Sequence, residues 1–260
     1  MFVNNLDPIA FEFLTFQIRW YSLAYIFGFL VGWVYIKKFL AKDLREKTLI
    51  DDFISYLIMG VIIGGRLGYV IFYNFFYYLS HPFEIFFIWQ GGMSFHGGLL
   101  GVCLATYIFT QKYNLNFFRY TDFVSLTAPI GIFLGRVANF INSELYGRET
   151  ELFWSVKFKK VDDLNRHPSQ IYEAIFEGLV LFIVLNYLYK RLSAQKGLIS
   201  ALFLILYSLF RFIIEFLREP DAQLGFVAMN LTMGQIISVF TFLAGIYLYY
   251  NNYGKNNSLR

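Results

Sequence analysis

Two arginines, two asparagines and a glutamate are concentrated in residues 135–148, whose sequence is GRVANFINSELYGR. They are Arg136, Asn139, Asn142, Glu144 and Arg148, and they directly follow an apolar run. A charge at the depth of a bilayer core costs about 2.5–3.5 kcal/mol, so such charges persist where they form pairs, line water or bind a ligand. This density predicts a site for an anionic, amphiphilic ligand. The alternative is a polar helix end at the membrane interface, with arginines that extend toward water.

A second polar group lies near the C-terminus, where Tyr207, Arg211 and Glu215 follow i, i+4, i+8 spacing. On a helix this spacing places all three on one face. Arg136 and Arg211 suit a phosphate, because a guanidinium group binds two phosphate oxygens at once. The alternative for Arg211 and Glu215 is a structural ion pair, which is compatible with ligand binding. The sequence has no nucleotide-binding loop and no acidic metal motif, so we expect the phosphate to belong to a lipid.

His96 is the best acid–base candidate in the sequence. Its ordinary pKa of about 6.5 lets it accept a proton at neutral pH. It lies between the glycine pairs 91–92 and 97–98, which favour the close approach of a ligand or of backbone. The alternative is a hydrogen-bonded packing residue in an apolar segment.

The composition is that of an integral membrane protein. Hydrophobic residues make up 57% of the 260-residue chain and charged residues 15%, against about 25% charged residues in soluble domains. We therefore expect an all-α, polytopic membrane protein with a single domain over residues 1–260. The net charge of +4 is attributed to membrane topology and does not indicate nucleic acid. The one cysteine, Cys103, excludes a disulfide within the chain and suggests no metal cluster.

Seven hydrophobic segments approach the length of about 20 residues that spans a bilayer. They are residues 20–40, 52–73, 84–110, 121–141, 169–189, 197–217 and 231–250. The sequence Gly64-Gly65-Arg66 interrupts the second segment, and the glycine-rich stretch 91–98 interrupts the third. Non-helical backbone at membrane depth is tolerated only where it is buried in protein or lines a polar cavity. The third segment is therefore predicted to be broken or re-entrant, with its break facing a site.

Basic residues predict the orientation of these segments. The loops 37–52, 111–120 and 190–196 and the C-terminal tail together carry 12 lysines and arginines, against 7 on the opposite side. Cytoplasmic loops carry such an excess, which places the N-terminus outside and the C-terminus in the cytoplasm. The longest loop, residues 142–168, is then expected at the outer face.

Several motifs, in their order and spacing, resemble the bacterial prolipoprotein diacylglyceryl transferase family over nearly the whole chain. They are RWYSLAY, GGRLGYVIFYN, GGMSFHGG, GRVANFINSELYGR, HPSQIYE and RFIIEFLREPDAQ. The departures are small. Ala138 and Ser143 stand where the family pattern has glycine, and Tyr146 stands where tryptophan is common.

The resemblance implies an enzyme of the bacterial cytoplasmic (inner) membrane that moves the diacylglyceryl group of phosphatidylglycerol onto the lipobox cysteine of a prolipoprotein signal peptide. The product is a thioether, and glycerol phosphate leaves. No cofactor, metal or nucleic acid is implied. The positions that matter in the family fall on Tyr21, His96, Arg136, Asn139, Glu144, Gly147, Tyr207, Arg211 and Glu215.

Roles for these residues follow from the resemblance. We expect Arg136 and Arg211 to hold the phosphate, with Glu215 orienting Arg211 and His96 acting as base or proton relay. We expect four further residues to shape the head-group pocket by hydrogen bonds, namely Tyr21, Asn139, Glu144 and Tyr207. Supporting roles are expected for Arg66, His167, Glu173 and Arg218.

Two other classes of protein fit parts of the sequence. An intramembrane serine protease could use Ser94 with His96, although the two are only two residues apart and no separate serine elbow is visible. A lipid or anion transporter could also place arginines in a helix bundle. The sequence, however, shows neither repeat symmetry nor the paired broken helices that are typical of transporters.

Overall fold

The computed structural model describes residues 2–13, 16–192, 195–220, 225–228 and 230–257. Most of these residues are helical, as the composition predicts. The chain divides into two compact units. The first consists of Met1–Val34 and Asp122–Arg260, and the second of Tyr35–Thr121.

The helices follow the predicted hydrophobic segments closely. The α-helices are α1 Trp20–Tyr35, α2 Leu44–Phe72, α3 Phe75–Ser80, α4 Phe95–Lys112, α5 Phe117–Asn142, α6 Ser169–Glu173, α7 Leu181–Leu192, α8 Leu198–Ile214 and α9 Met233–Asn257. A π-helical turn, Ile36–Leu40, continues α1, and another, Ala174–Val180, joins α6 to α7. Two short 3-10 turns, Pro82–Phe86 and Ile88–Gln90, precede α4.

Within the described residues, five helices are long and apolar enough to cross a membrane, and they match five of the seven predicted segments. They are Trp20–Leu40, Leu44–Phe72, Phe117–Asn142, Ser169–Leu192 and Met233–Asn252. The protein is therefore a multi-pass membrane protein. The predicted segment 197–217 is represented by the shorter apolar helix α8.

The second and third segments differ in how their glycines act. The predicted break in the third segment is confirmed, because Gly91 and Gly92 have φ of 85° and 78° and α4 begins only after Ser94, its N-cap. The predicted interruption of the second segment at Gly64 to Arg66 is wrong, since α2 runs through it without a break. The glycines of α2 serve close packing instead of a bend.

The second unit is built on this packing. Gly60, Gly64 and Gly68 of α2 face Gly97 and Gly101 of α4. A Cβ atom added at Gly60 would lie 2.6 Å from the Gly101 carbonyl oxygen, and one at Gly68 would lie 2.7 Å from the Gly97 Cα. Small residues at every fourth position let two membrane helices approach until their backbones touch.

The first unit contains a similar close approach and an unusual helix cap. A Cβ atom at Gly28 of α1 would lie 3.2 Å from the Gly131 Cα of α5. Farther along the unit, the buried Asp122 carboxylate accepts hydrogen bonds from the backbone N–H groups of Gly197 (2.7 Å) and Ser200 (2.8 Å). Asp122 of α5 thereby satisfies orphan donors at the N-terminus of α8 and opposes the positive end of its dipole.

Short strands, which the sequence did not predict, complete the first unit. The strands are β1 Phe2–Asn4, β2 Ile9–Phe13, β3 Phe16–Arg19, β4 Val156–Phe158, β5 Asn165–Arg166, β6 Phe226–Ala228 and β7 Leu231–Thr232. β4 lies between β1, which is parallel to it, and the antiparallel β5. β2 pairs with β3 and β6 with β7, both antiparallel. The predicted loop 142–168 therefore contains two strands of a small sheet that β1 completes.

Candidate active site

A buried network of ion pairs lies at the centre of the first unit. Glu173 bridges two arginines, since its Oε2 atom lies 3.1 Å from Nη1 of Arg136 and its Oε1 atom accepts a very short hydrogen bond from Nη1 of Arg211. Glu177 faces the same two arginines, with its Oε2 atom 3.3 Å from Nη2 of Arg136 and its Oε1 atom 3.8 Å from Nη1 of Arg211. The two carboxylates together fix both guanidinium groups.

The network extends from Arg211 toward the end of α8. Nη2 of Arg211 lies 2.7 Å from Oε2 of Glu215, the i, i+4 pair that the spacing predicts. Nη1 of Arg218 lies 3.7 Å from the same oxygen, and the Thr232 hydroxyl donates to Oε1 of Glu215 at 2.9 Å. Glu215 therefore holds Arg211 through Nη2, whereas Glu173 holds it through Nη1.

Local helix geometry explains how two glutamates reach one site. Glu173 ends α6 and Glu177 lies in the π-helical turn Ala174–Val180. Gly178 lets this turn approach α5 closely, because a Cβ atom there would lie 2.7 Å from the Phe133 Cβ. π-helical turns inside α-helices are rare and are frequent at functional sites.

The carboxylates and the arginines of the network differ in how much of each side chain is exposed. The side chains of Glu173 and Glu177 are 0% exposed, whereas those of Arg136 and Arg211 retain 17% and 11%. Three arginines face three carboxylates, so the buried charges compensate one another, as burial requires. Each guanidinium has five N–H donors. The partly exposed arginines are thus the groups through which an anionic ligand would contact the network.

A polar turn follows α5 and brings together polar residues of the stretch 135–148. The amide of Asn139 donates to Oε2 of Glu144 at 3.3 Å, and the amide of Asn142 donates to Oε1 at 3.4 Å. The Gln170 amide donates to the Glu144 carbonyl oxygen at 2.6 Å. Ser143 and Leu145 have φ of 60° and 55°, so the turn reverses the chain within a few residues.

Gly147 has a structural reason to be glycine. Its N–H donates to the His167 carbonyl oxygen at 2.9 Å, and it forms a backbone bridge with Arg218. A Cβ atom at this position would lie 2.5 Å from the His167 carbonyl oxygen and 2.7 Å from the Leu217 carbonyl oxygen. Gly147 therefore joins the turn after α5 to the segment after α8, and it does so through backbone contacts.

Next to Gly147, Arg166 fastens the small sheet. Its guanidinium donates to both carboxylate oxygens of Asp162, at 2.6–3.2 Å, and to the Gly147 carbonyl oxygen at 3.2 Å. The hydrogen bonds from Arg166 lower the pKa of Asp162. Burial lowers the pKa of His167, which favours its neutral form.

The two predicted tyrosines of the head-group pocket have aromatic partners. The Tyr21 hydroxyl lies 3.5 Å from that of Tyr25, one turn later on α1. Tyr207 stacks on Phe203 with ring centroids 5.7 Å apart, and it lies one turn before Arg211 on α8. Both tyrosines belong to the first unit, as does the ion network.

His96 and Arg66 belong to the second unit. His96 lies in the first turn of α4, exposed, with its ring 5.6 Å from that of Phe95. Ser94 caps this helix, because its buried hydroxyl oxygen accepts from the Gly97 N–H at 3.2 Å. Within the described residues no hydrogen bond joins Ser94 to His96, so the geometry does not support a serine nucleophile activated by this histidine.

One carboxylate of the network, Glu177, is not predicted from the sequence, and another, Glu173, has a larger role than its predicted one. Glu177 was not singled out, although it follows Glu173 by four residues and so lies near the same helix face. Glu173 was expected to be a support, yet it contacts both arginines. The spacing of these two acidic residues in an apolar segment was the available signal.

Comparisons with known proteins identify the family of the chain. A family model described as prolipoprotein diacylglyceryl transferase matches residues 8–251. A protein of Rickettsia typhi named phosphatidylglycerol–prolipoprotein diacylglyceryl transferase is 51% identical over 252 residues, which cover 95% of this chain and 97% of that protein. A protein of the same name from Rickettsia bellii is 51% identical over 249 residues, covering 94% of each chain.

A third relative of that name, from Rickettsia canadensis, is 49% identical over 250 residues, covering 94% of this chain and 96% of its own. The resemblance seen in separate motifs therefore extends along nearly the whole sequence. The chain belongs to the prolipoprotein diacylglyceryl transferase family and is a transferase.

Proposed function

We propose that this protein transfers the diacylglyceryl group of phosphatidylglycerol to the lipobox cysteine of prolipoproteins. The family and the names of near full-length relatives support the reaction and both substrates. The observation that carries the proposal is the pair Arg136 and Arg211, held by buried glutamates with part of each guanidinium exposed. A pre-organised pair of guanidinium groups is complementary to a phosphodiester.

The chemistry fits this arrangement. The cysteine sulfur attacks the lipid carbon that carries the phosphate, a carbon–sulfur bond forms, and the carbon–oxygen bond to phosphate breaks. Glycerol phosphate leaves with the bonding electrons, and Arg136 and Arg211 stabilise the charge that develops on it. A thiol has an ordinary pKa of about 8.5, so deprotonation must accompany attack. His96 receives the thiol proton in this proposal.

The remaining site residues have positioning and binding roles. Glu173 and Glu215 hold Arg211 from two sides, and their contacts support the expectation that Glu215 orients this arginine. Asn139 and Glu144 form one hydrogen-bonded pair at the end of α5 and supply polar groups for the glycerol head group. Tyr21 and Tyr207 complete the pocket in the proposal, and Gly147 maintains the backbone contacts beneath it.

The proposed enzyme is a single domain over residues 1–260 in the bacterial cytoplasmic (inner) membrane. We propose seven spans, in which α4 and α8 supplement the five long apolar helices. The N-terminus lies outside and the C-terminus in the cytoplasm, with residues 142–168 at the outer face. This orientation is supported by the excess of basic residues in the other loops.

The proposal is tested by a transfer assay in detergent. Purified protein receives phosphatidylglycerol with a labelled diacylglyceryl group and a lipobox peptide, and a peptide with Cys→Ser serves as substrate control. We expect label in a base-stable thioether on the cysteine peptide only. Replacing Arg136 by Lys retains the charge but removes the paired N–H donors with which a guanidinium binds two phosphate oxygens. We expect kcat to fall about 100-fold, the usual effect of losing one hydrogen-bond donor to the transition state.

The matched control is Arg45→Lys, which changes an exposed arginine of α2 and should leave transfer unchanged. Thermal unfolding of each variant separates loss of the site from loss of the fold. Full activity of Arg211→Ala would contradict the assignment of the phosphate site. Exchange of labelled lipid between vesicles without modification of the thiol would favour a transporter instead.

A further inference from the structure

Arg66 of α2 is a buried arginine whose hydrogen bonds, among the described residues, all go to backbone carbonyl oxygens. Its residue is 4% exposed, and its guanidinium donates to four carbonyl oxygens of residues 84–92. The Nε atom lies 2.8 Å from the Ile85 oxygen and Nη2 lies 2.7 Å from the Glu84 oxygen. Nη1 lies 2.6 Å from the Gly91 oxygen and 3.1 Å from the Gly92 oxygen.

These carbonyl groups belong to the part of the third segment that is not α-helical. Residues 82–90 form two 3-10 turns, and Gly91 and Gly92 follow with positive φ. The Glu84 carbonyl oxygen already accepts from the Phe87 N–H at 3.1 Å, whereas those of Ile85, Gly91 and Gly92 receive donors from Arg66. A buried carbonyl group that lacks a donor is costly. Arg66 supplies donors to both ends of the segment, so one side chain satisfies and holds it.

The backbone at Gly92 packs so closely against Arg66 and Tyr69 that it leaves no room for a side chain. A Cβ atom on Gly92 would lie 2.9 Å from Nη1 of Arg66 and 2.5 Å from Cε1 of Tyr69. Two residues later the Ser94 N–H donates to the Gly65 carbonyl oxygen at 2.8 Å, beside Arg66 on α2. The segment is therefore fastened to α2 by side chain and backbone up to the first turn of α4.

The electrostatics of Arg66 differ from those of Arg136 and Arg211. Within the described residues no carboxylate forms an ion pair with Arg66, whereas Arg136 and Arg211 each contact two or more. Its charge faces carbonyl dipoles and the Tyr78 ring, whose centroid is 5.2 Å from the guanidinium carbon. Its donors are directed at backbone, so it is not arranged as a phosphate ligand.

We infer that Arg66 is a positioning residue, which fixes segment 84–94 and thereby sets the place of His96 in the first turn of α4. The inference rests on the proposed function only in assigning His96 to proton transfer. A displacement of about 1 Å at a reacting group reduces rates about 100-fold. Arg66 thus acts on the chemical step through the backbone that carries His96.

The test compares Arg66→Lys with the wild-type protein in lipid nanodiscs. Lysine keeps the charge but offers only three donors from one atom, so it cannot hold both ends of the segment. We expect amide hydrogen exchange of residues 84–94 to accelerate about tenfold or more, with the long helices unchanged. We expect kcat for transfer to fall about 10- to 100-fold, while KM for phosphatidylglycerol changes less than about threefold.

Gly92→Ala tests the same segment from its other side, because its Cβ atom would collide with Tyr69 and press on Arg66. It should accelerate exchange in residues 84–94 and lower kcat in the same way. Arg45→Lys, on the same helix, is the matched control and should change neither quantity. The second variant keeps the test decisive if Arg66→Lys does not fold.

The outcomes separate the inference from the proposed function. Unchanged exchange in residues 84–94, with a raised KM for the lipid, would overturn the positioning role and make Arg66 a lipid ligand. Faster exchange with unchanged kcat would overturn the link between this segment and the chemistry. Failure of the wild-type protein to transfer any label, with normal exchange protection in the segment, would instead refute the proposed function alone.

Discussion

At the scale of single residues, the ion network shows what a charge in an apolar segment requires. Arg136 and Arg211 were predicted as a phosphate site from their type alone, and the structure adds the carboxylates that keep them in place. Breaking a buried pair by removing one partner costs about 3–5 kcal/mol, since the other charge is left uncompensated. Glu173 and Glu177 are therefore as necessary to the site as the two arginines that are proposed to bind the phosphate.

Ser143 provides a residue-scale prediction about stability. It has φ of 60° where the family pattern has glycine, and its buried hydroxyl has no hydrogen-bond partner among the described residues. A left-handed conformation costs a non-glycine residue about 1–2 kcal/mol. We expect Ser143→Gly to stabilise the protein by about 1 kcal/mol and to raise Tm by about 2–4 °C in a thermal unfolding assay.

Ala138 is the matched control, because it too replaces a glycine of the family pattern. It lies inside α5 and is 2% exposed, so glycine there adds backbone freedom and removes a packed methyl group. Ala138→Gly should destabilise the protein by about 1 kcal/mol. A lower Tm for Ser143→Gly would show that the turn after α5 does not hold its residue under strain.

At the scale of elements, glycine has two structural effects that look the same in the sequence: it can break a helix, or it can let two helices pack closely. The glycines before α4 break a helix, whereas those of α2 leave it intact and bring it against α4. Both patterns look alike in one dimension, because the difference depends on which partner helix lies opposite. Spacing of four residues at 60, 64 and 68 was the one local indication of a packing face.

Gly101 carries the element-scale prediction for this packing. A Cβ atom there would overlap the Gly60 carbonyl oxygen, so α2 and α4 would have to separate. We expect Gly101→Ala to destabilise the protein by about 1–3 kcal/mol. Gly131→Ala in α5 is the control, since nothing in the described chain lies within 4 Å of its Cβ position and alanine favours a helix. Equal Tm values for the two variants would contradict close α2–α4 packing.

The small sheet supplies a prediction about pH. Hydrogen bonds from Arg166 lower the pKa of Asp162 in the folded protein. A lowered carboxyl pKa contributes stability that is fully present above the unfolded value of about 3.9 and is lost as the pH falls through the folded value. We expect the Tm difference between wild type and Asp162→Asn to be constant near neutral pH and to shrink below about pH 4.

The adjacent Asp163 provides the control for this pH dependence. Its side chain is 98% exposed and lies 3.7 Å from Lys157, so its charge should contribute little. Asp163→Asn should follow the wild-type curve of Tm against pH. A Tm difference for Asp162→Asn that persists unchanged below pH 4 would show that the bond to Arg166 does not stabilise the charged carboxylate.

At the scale of the whole molecule, hydropathy predicted the long helices because burial in lipid is a local property of sequence. Five of the predicted segments match helices of spanning length, and the i, i+4 pair of Arg211 and Glu215 formed as expected. The strands, the π-helical turn at Glu177 and the cap that Asp122 gives to α8 were not predicted. The pairing of β1 with β4, the contacts of Glu177 and the cap join residues that are distant in sequence, so no local pattern could specify them.

The number of spans depends on α4 and α8, which are not among the five long apolar helices, and the placement of α8 is a prediction for the whole molecule. Its 17 residues extend about 26 Å, somewhat less than the hydrocarbon core of about 30 Å. Seven spans with the N-terminus outside require positions 195 and 220 to lie on opposite sides of the membrane. They also require position 160 outside and position 114 and the C-terminus in the cytoplasm.

Reporter fusions at these positions measure the sides directly. Alkaline phosphatase should be active when fused after residues 160 and 220, and green fluorescent protein should fluoresce after residues 114 and 195 and at the C-terminus. Activity of the same reporter after residues 195 and 220 would make α8 a re-entrant helix and place the C-terminus outside. In that arrangement Arg211 would remain in the network, and the excess of basic residues on the cytoplasmic side would shrink from 12 against 7 to 11 against 8.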